Sequence, residues 1–182
     1  MKYGIGFKFN DKHSKEFHVV ALSDDRSLLP EKRRNEFVIP GRDGVLDYGN
    51  NTYEKRIITV DLAFVAHNLP DLRGLARAAA HWLSGTGLLI FDDEPDKAYR
   101  AKVYQPLAIT QLATTGETSV PFDCNPFAES PYYSQITETF TNSPHENNVK
   151  ITGTQDTPCL IYIKNIGTAN ISKITLTRKA DG

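Results

Sequence analysis

Between Ile58 and Val65 the chain alternates: Ile58, Val60, Leu62 and Phe64 fall on one parity, and Thr59, Asp61 and Ala63 on the other. Successive side chains of an extended backbone point to opposite faces, so this pattern commits the segment to a strand with one buried and one wet face. Such half-buried strands belong to antiparallel sheets. The same reading picks out Gly4 to Phe9, Phe17 to Leu22, Phe37 to Pro40, Leu88 to Phe91, Tyr99 to Gln105, Leu107 to Ala113 and Thr118 to Cys124. His18 is then expected inside a strand. In the last of these segments Val120, Phe122 and Cys124 alternate with Ser119, Pro121 and Asp123. Proline has no N–H to give to a ladder, so Pro121 predicts that this strand lies at a sheet edge.

One segment breaks the rule. From Leu69 to Ser84, the residues Leu72, Leu75, Ala76, Ala79, Trp82 and Leu83 recur at spacings of three and four, the period of an amphipathic helix. Asn68 is a suitable N-cap, Pro70 suits the first turn, and Gly85 and Gly87 are expected to end the helix. Its apolar stripe, with Leu72, Leu75, Ala79, Trp82 and Leu83 as the core residues, should lie across a β-sheet. The fold class is therefore mainly β with one α-helix.

A chain of 182 residues can hold one domain and a smaller second one. Composition shifts after Phe127 toward Ser, Thr, Pro and Asn, which sets boundaries at a main domain of residues 1–130, a linker of 131–148 with a strand-like piece from Gln135 to Phe140, and a further segment of 149–182. In the last segment Val149 to Thr152, Pro158 to Ile166 and Ile171 to Arg178 alternate like strands. They read as the opening of an incomplete second β-sandwich, or as strands that pack back on the main domain.

Twenty-one Lys and Arg against 22 Asp and Glu leave a net charge of −1, which gives no overall field for holding nucleic acid. Lys2, Lys8, Asp11 and Lys12 interrupt any signal-like apolar run, and no segment approaches the roughly 20 apolar residues of a membrane span, so folding in the cytoplasm is expected. Cys124 and Cys159 share no metal-ligand spacing and are expected to be two reduced, buried thiols.

The residues that could carry chemistry are dispersed. His13, His18, His67, His81 and His145 stand singly, without ligand spacing. His81 continues a polar helical stripe with Arg73 and Arg77, a solvated face or a basic contact surface for a neighbour's acids. Asp92, Asp93, Glu94 and Asp96 surround Pro95 and read as a tight connection between strands, because the alternating ligands and glycine of a calcium loop are missing. Pro40, Gly41, Arg42, Asp43 and Gly44 read as a turn with positive-φ glycines, since neither a helix nor a phosphate-loop signature follows. With no nucleophile elbow and no activated thiol, no enzyme activity, cofactor or metal is expected.

Taken in order, Phe37-Val38-Ile39-Pro40-Gly41-Arg42-Asp43-Gly44, Tyr53, the strand Arg56 to Val65, the helix ending His81-Trp82-Leu83, and Leu89-Ile90-Phe91-Asp92-Asp93-Glu94-Pro95-Asp96 resemble the distal tail protein family of siphophages. Tyr99-Arg100-Ala101-Lys102-Val103 and Val120-Pro121-Phe122-Asp123-Cys124-Asn125-Pro126-Phe127 extend the likeness over about the first 130 residues. The resemblance implies an N-terminal β-sandwich with one helix and a protruding β-hairpin, and a C-terminal galectin-like or carbohydrate-binding-module-like sandwich. It also implies a hexameric ring at the virion tail tip that joins the tail tube protein to the tail-tip hub and to receptor-binding proteins. A second reading makes the chain a carbohydrate-binding module, with Tyr132, Tyr133 and Tyr162 as stacking surfaces.

Overall fold

Alternation becomes architecture where two alternating strands pair, and the two longest strands here do so in register. The computed structural model describes residues 6–49, 52–106, 108, 110–112, 115–132, 135–149, 153–177 and 179. The chain divides into a unit ending at Gln135 and a second beginning at Ile136. The first contains β1 (Phe7–Phe9), β2 (Lys12–His13), a 3-10 turn (Ser14–Phe17), β3 (Val19–Asp25), β4 (Glu36–Phe37), β5 (Leu46–Asp47), β6 (Arg56–Val65), α1 (Leu69–Leu83), β7 (Thr86–Phe91), β8 (Tyr99–Lys102), β9 (Thr110–Leu112) and β10 (Thr115–Cys124). Part of the Gly4 to Phe9 and Leu107 to Ala113 segments lies outside the described residues.

The main sheet runs β2-β1-β7-β8-β10-β6-β3, with β9 also on β10, and its pairings are antiparallel. Strands β6 and β10 pair along their whole length, from Thr115↔Val65 to Cys124↔Arg56. Their buried parities coincide, so Ile58, Val60, Leu62 and Phe64 join Val120, Phe122 and Cys124 in one core.

The sheet is not flat. Strands β1 and β10 are three positions apart, which would separate them by about 14 Å in a plane. Yet Phe7 and Phe9 lie 6.1 and 5.3 Å, centroid to centroid, from Phe122. The sheet therefore curls until its two halves face each other, and the sandwich is made by one continuous sheet. Its corner is the β8–β10 pairing, only two residue pairs long.

Helix α1 covers this core with Leu72, Ala79, Trp82 and Leu83 buried and Leu75 partly buried. Asn68 caps it by accepting from the Asp71 N–H at 2.9 Å, and proline stands in the first turn. Trp82 stacks on Phe17 at 4.4 Å and on Phe7 at 5.5 Å, and its indole N–H donates to the Phe9 carbonyl at 2.7 Å.

Three local expectations need correction. His18 is not inside a strand: it ends the 3-10 turn at φ 52 before β3 starts. Strand β10 is interior, not an edge; Pro121 is accommodated because β9 and β8 pair only with its two ends, leaving its middle without a partner on the side away from β6. Gly85 and Gly87 do not terminate α1 by a left-handed glycine, since Ser84 caps it in right-handed geometry. Gly87 lies within β7 and serves instead for close approach, as a Cβ there would stand 2.9 Å from the Asn10 Cα. Asn10 and Asp11, both at positive φ (51 and 64), form the two-residue turn between β1 and β2, a geometry that asparagine and aspartate tolerate.

Among the described residues of the second unit there is no strand or helix. Of the expected strands there, residues 150–152 and 178 lie outside the described residues, and the remaining positions form no strand; nor does the expected strand-like piece from Gln135 to Phe140. Leu160 is 97% exposed, and Ile161, Tyr162 and Ile163 are exposed too. This run is apolar on both parities, so a strand would need a layer on each face, and the unit's described residues supply neither. Its local order comes from polar contacts: His145 pairs with Glu138 at 2.8 Å and stacks on Phe140 at 4.5 Å.

Candidate assembly surface

Between β3 and β6 the chain leaves the main sheet as a hairpin arm. Its ladder starts at the Lys32↔Tyr53 bridge and continues through β4 and β5, reinforced by Arg33 N–H to Thr52 O at 2.8 Å and Tyr48 N–H to Asn35 O at 2.9 Å. Arg33 and Glu54 pair at 2.7 Å across its base, and this contact holds the Glu54 carboxyl below the usual carboxylate range. None of the residues 31–49 is buried. Phe37, Val38, Val45 and Tyr48 are all more than half exposed.

The arm's far end is the segment with Pro40, Gly41, Arg42, Asp43 and Gly44. The Arg42 N–H closes a turn onto the Ile39 carbonyl at 3.2 Å, and Gly41 and Gly44 both stand at φ 82, where an L side chain is strained. No atom lies within 4 Å of where a Cβ would be at either glycine, so the turn projects into open space.

The other acidic segment does different work. Asp92 bonds the His13 Nε2 at 3.1 Å, while Asp93 and Glu94 meet Arg26 at 2.5 and 3.2 Å. Arg26 also holds Asp24 at 2.6 Å and lies 4.4 Å over the Phe91 ring. Burial opposes the Arg26 charge, yet the bonds from Asp93 and Asp24 outweigh it and raise its pKa, while the Arg26 hydrogen bond holds Asp93 below its ordinary value. Pro95 lies in the connection that Lys97 closes by donating its N–H to the Glu94 carbonyl at 3.1 Å. These carboxylates tie the end of β3 to the β7–β8 connection.

On α1, Arg73, Arg77 and His81 are exposed and form no ion pair with described residues. The grooves beside this helix, one lined by Phe64, Ala76, Arg77 and Leu83 and one by Ala80, Leu83, Val103 and Gln105, hold about 210 and 220 Å³. Both fall below the roughly 300 Å³ at which small-molecule pockets begin. Among the described residues no cluster of three or more His, Cys, Asp or Glu is placed to hold a metal ion, and no helix is long and apolar enough to cross a membrane. Cys124 is buried as expected, which pushes its thiol up to about 12; Cys159, expected to be buried too, is exposed, and neither is bridged. Tyr132 and Tyr162 are exposed, and Tyr133 lies outside the described residues.

Two residues that carry the electrostatics were missed in the sequence. Arg26 gives no periodic signal. Arg56 does: it lies on the buried parity of β6, one step before Ile58, where a charge is out of place. The structure puts its side chain in that buried face, opposite Cys124.

Among solved structures the chain is similar to the SPP1 Dit (gp 19.1) protein, described as a paradigm of hub adsorption apparatus in Gram-positive infecting phages, with a TM-score of 0.60 and 16% identity. The match covers 70% of this chain and 52% of that one, so the chain spans about half the length of this relative. No curated protein matches the sequence. The model of the phage tail protein RIFT-related domain matches residues 15–124, more than half of the 182, and the chain belongs to that family of phage tail proteins.

Proposed function

We propose that this chain is a siphophage distal tail protein: a structural, non-enzymatic subunit of the virion tail tip, made in the host cytoplasm, whose copies close into a hexameric ring. The ring joins the tail tube protein to the tail-tip hub and host-adhesion proteins. The observation that carries the reading is the arm: a paired hairpin with no buried residue between 31 and 49, displaying Phe37, Val38, Val45 and Tyr48. An isolated two-stranded hairpin is marginal in water, and one with apolar side chains on display gains most when another surface covers it. A neighbouring copy provides that surface in a head-to-tail arrangement, which closes into a ring when the rotation between copies is set.

Residues 131–148 serve in this reading as a linker and 149–182 as the start of a C-terminal β-sandwich; the greater length of the SPP1 Dit structure supports that placement. Light scattering behind a sizing column tests the ring. The full chain is expected at six copies per particle, and a variant with residues 33–52 replaced by a short Gly-Ser connection at one copy. A wild-type chain that stays monomeric, alone and with tail-tube or hub protein added, would refute the ring. The carbohydrate-binding reading rests on the exposed rings of Tyr132 and Tyr162, 77% and 84% exposed; it requires glycan-array binding that both Tyr→Ala changes abolish.

A further inference from the structure

We propose that Arg56 is a docking point for a carboxylate of a second copy, supplied by Asp43 at the turn of that copy's hairpin arm. The inference rests on the ring reading and names one contact within it.

Arg56 opens β6 on the same parity as Ile58 and Val60, so its side chain enters the buried end of the sandwich, where only 8% of the residue stays exposed. Its guanidinium lies 5.6 Å from the Tyr99 ring centroid. Its side chain makes no hydrogen bond or ion pair with any described residue; of its nitrogens only Nε is sealed from solvent, so the two terminal nitrogens are the ones a partner's carboxylate can reach. A buried donor left unfilled is unfavourable, and a buried guanidinium more so.

The fold meets the same demand completely elsewhere. Arg26 also lies over an aromatic ring, Phe91, and is also largely covered, but three carboxylates surround it: Asp24, Asp93 and Glu94. Arg56 has the aromatic ring and none of the acids. Its nearest charged sequence neighbours are engaged with others, since Lys55 holds Asp123 and Glu54 holds Arg33.

An acid that reaches a recessed cation must be carried on something narrow. Asp43 stands at the end of the arm between the positive-φ glycines Gly41 and Gly44, exposed and without a partner among the described residues. It cannot serve its own Arg56. That residue follows the arm's base, and the paired stretch from Lys32/Tyr53 to Phe37/Leu46 alone extends about 17 Å. The pairing is therefore intermolecular and head-to-tail, Asp43 of one copy with Arg56 of the next. That is the polarity a closed ring requires.

Charge exchange tests this on the full chain, with mass followed by light scattering over a dilution series and folding checked by circular dichroism. Asp43→Lys and Arg56→Glu are each expected to weaken self-association about thirtyfold or more, and the double exchange to restore most of it. Arg56→Met is expected to weaken association while leaving the melting temperature of the dissociated chain equal to or above that of the wild type, because it removes an unfilled buried charge. Asp43 is exposed, so Asp43→Lys remains decisive even if an Arg56 variant fails to fold. Wild-type assembly unchanged by Asp43→Lys, or a double exchange no better than the single changes, overturns the proposed pair and leaves the ring standing. A wild-type chain monomeric under all conditions overturns both.

Discussion

Replacing Trp82 by alanine removes the largest side chain joining α1 to the sheet, and the cost can be worked from its contacts. The residue is 5% exposed, stacks on Phe17 and Phe7, meets Phe9 edge-on at 6.4 Å, and donates to the Phe9 carbonyl. Truncating a buried tryptophan to alanine costs about 3–5 kcal/mol through lost transfer energy and the cavity left behind. Trp82→Phe separates the parts: it keeps a ring in the stack but removes the indole N–H and leaves a buried carbonyl short of its donor, a loss of about 1–3 kcal/mol. Against a typical domain stability of about 5–15 kcal/mol, the alanine variant should be severely weakened and the phenylalanine variant measurably so. Urea unfolding followed by far-UV circular dichroism gives both values, and the unchanged slope with denaturant shows that stability alone has moved. Trp82 is the chain's only tryptophan, so its fluorescence in the wild type reports this core without interference. A loss below about 1 kcal/mol for Trp82→Ala would refute the claim that the helix is pinned through this ring.

Two further changes probe the backbone and the charge network. Gly87→Ala drives a Cβ to 2.8 Å from the Asn10 Cβ and 2.9 Å from its Cα, and should cost about 1–3 kcal/mol by urea unfolding. Gly74→Ala in α1, which meets nothing within 4 Å, should instead stabilise by about 0.5–1 kcal/mol. For Asp93 the folded pKa is depressed, first by the Arg26 hydrogen bond, so its contribution is fully present above its unfolded value of about 3.9 and is lost as pH falls through the lower folded value. Urea midpoints measured from pH 6 downward should therefore fall more steeply for the wild type than for Asp93→Asn. Parallel curves would remove Asp93 from the network.

How much of this was legible depends on where each residue's partners are. Strands β6 and β10 and helix α1 could be read because their partners lie within the same unit, so burial within the chain shapes the sequence on one face only. The tight turn at Asn10 and Asp11 was missed because its signal is two residues long, and the interior position of β10 because Pro121 meets a gap that only the full strand order reveals. Gly87 was misread because a glycine needed for the approach of Asn10 looks, in sequence, like one needed to stop a helix.

Arg56 and the arm are a different kind of case, because the partners proposed for them lie in a second copy of the chain. A chain whose local choices all agree places apolar residues inward and pairs its buried charges. Here the rule holds through the core and at Arg26, with its three carboxylates, and fails in two places: apolar side chains on an arm with no buried residue, and a largely buried arginine whose Nε has no acceptor among the described residues. The arm that carries the first failure also carries at its end Asp43, an acid without a partner among the described residues, and an acid is what the second failure lacks. Satisfying both within one molecule is prevented by the length of the arm, and satisfying both between two molecules takes a single head-to-tail contact. In the proposed ring, two unfavourable features that a monomer would have to carry separately are met by one head-to-tail contact repeated at every interface.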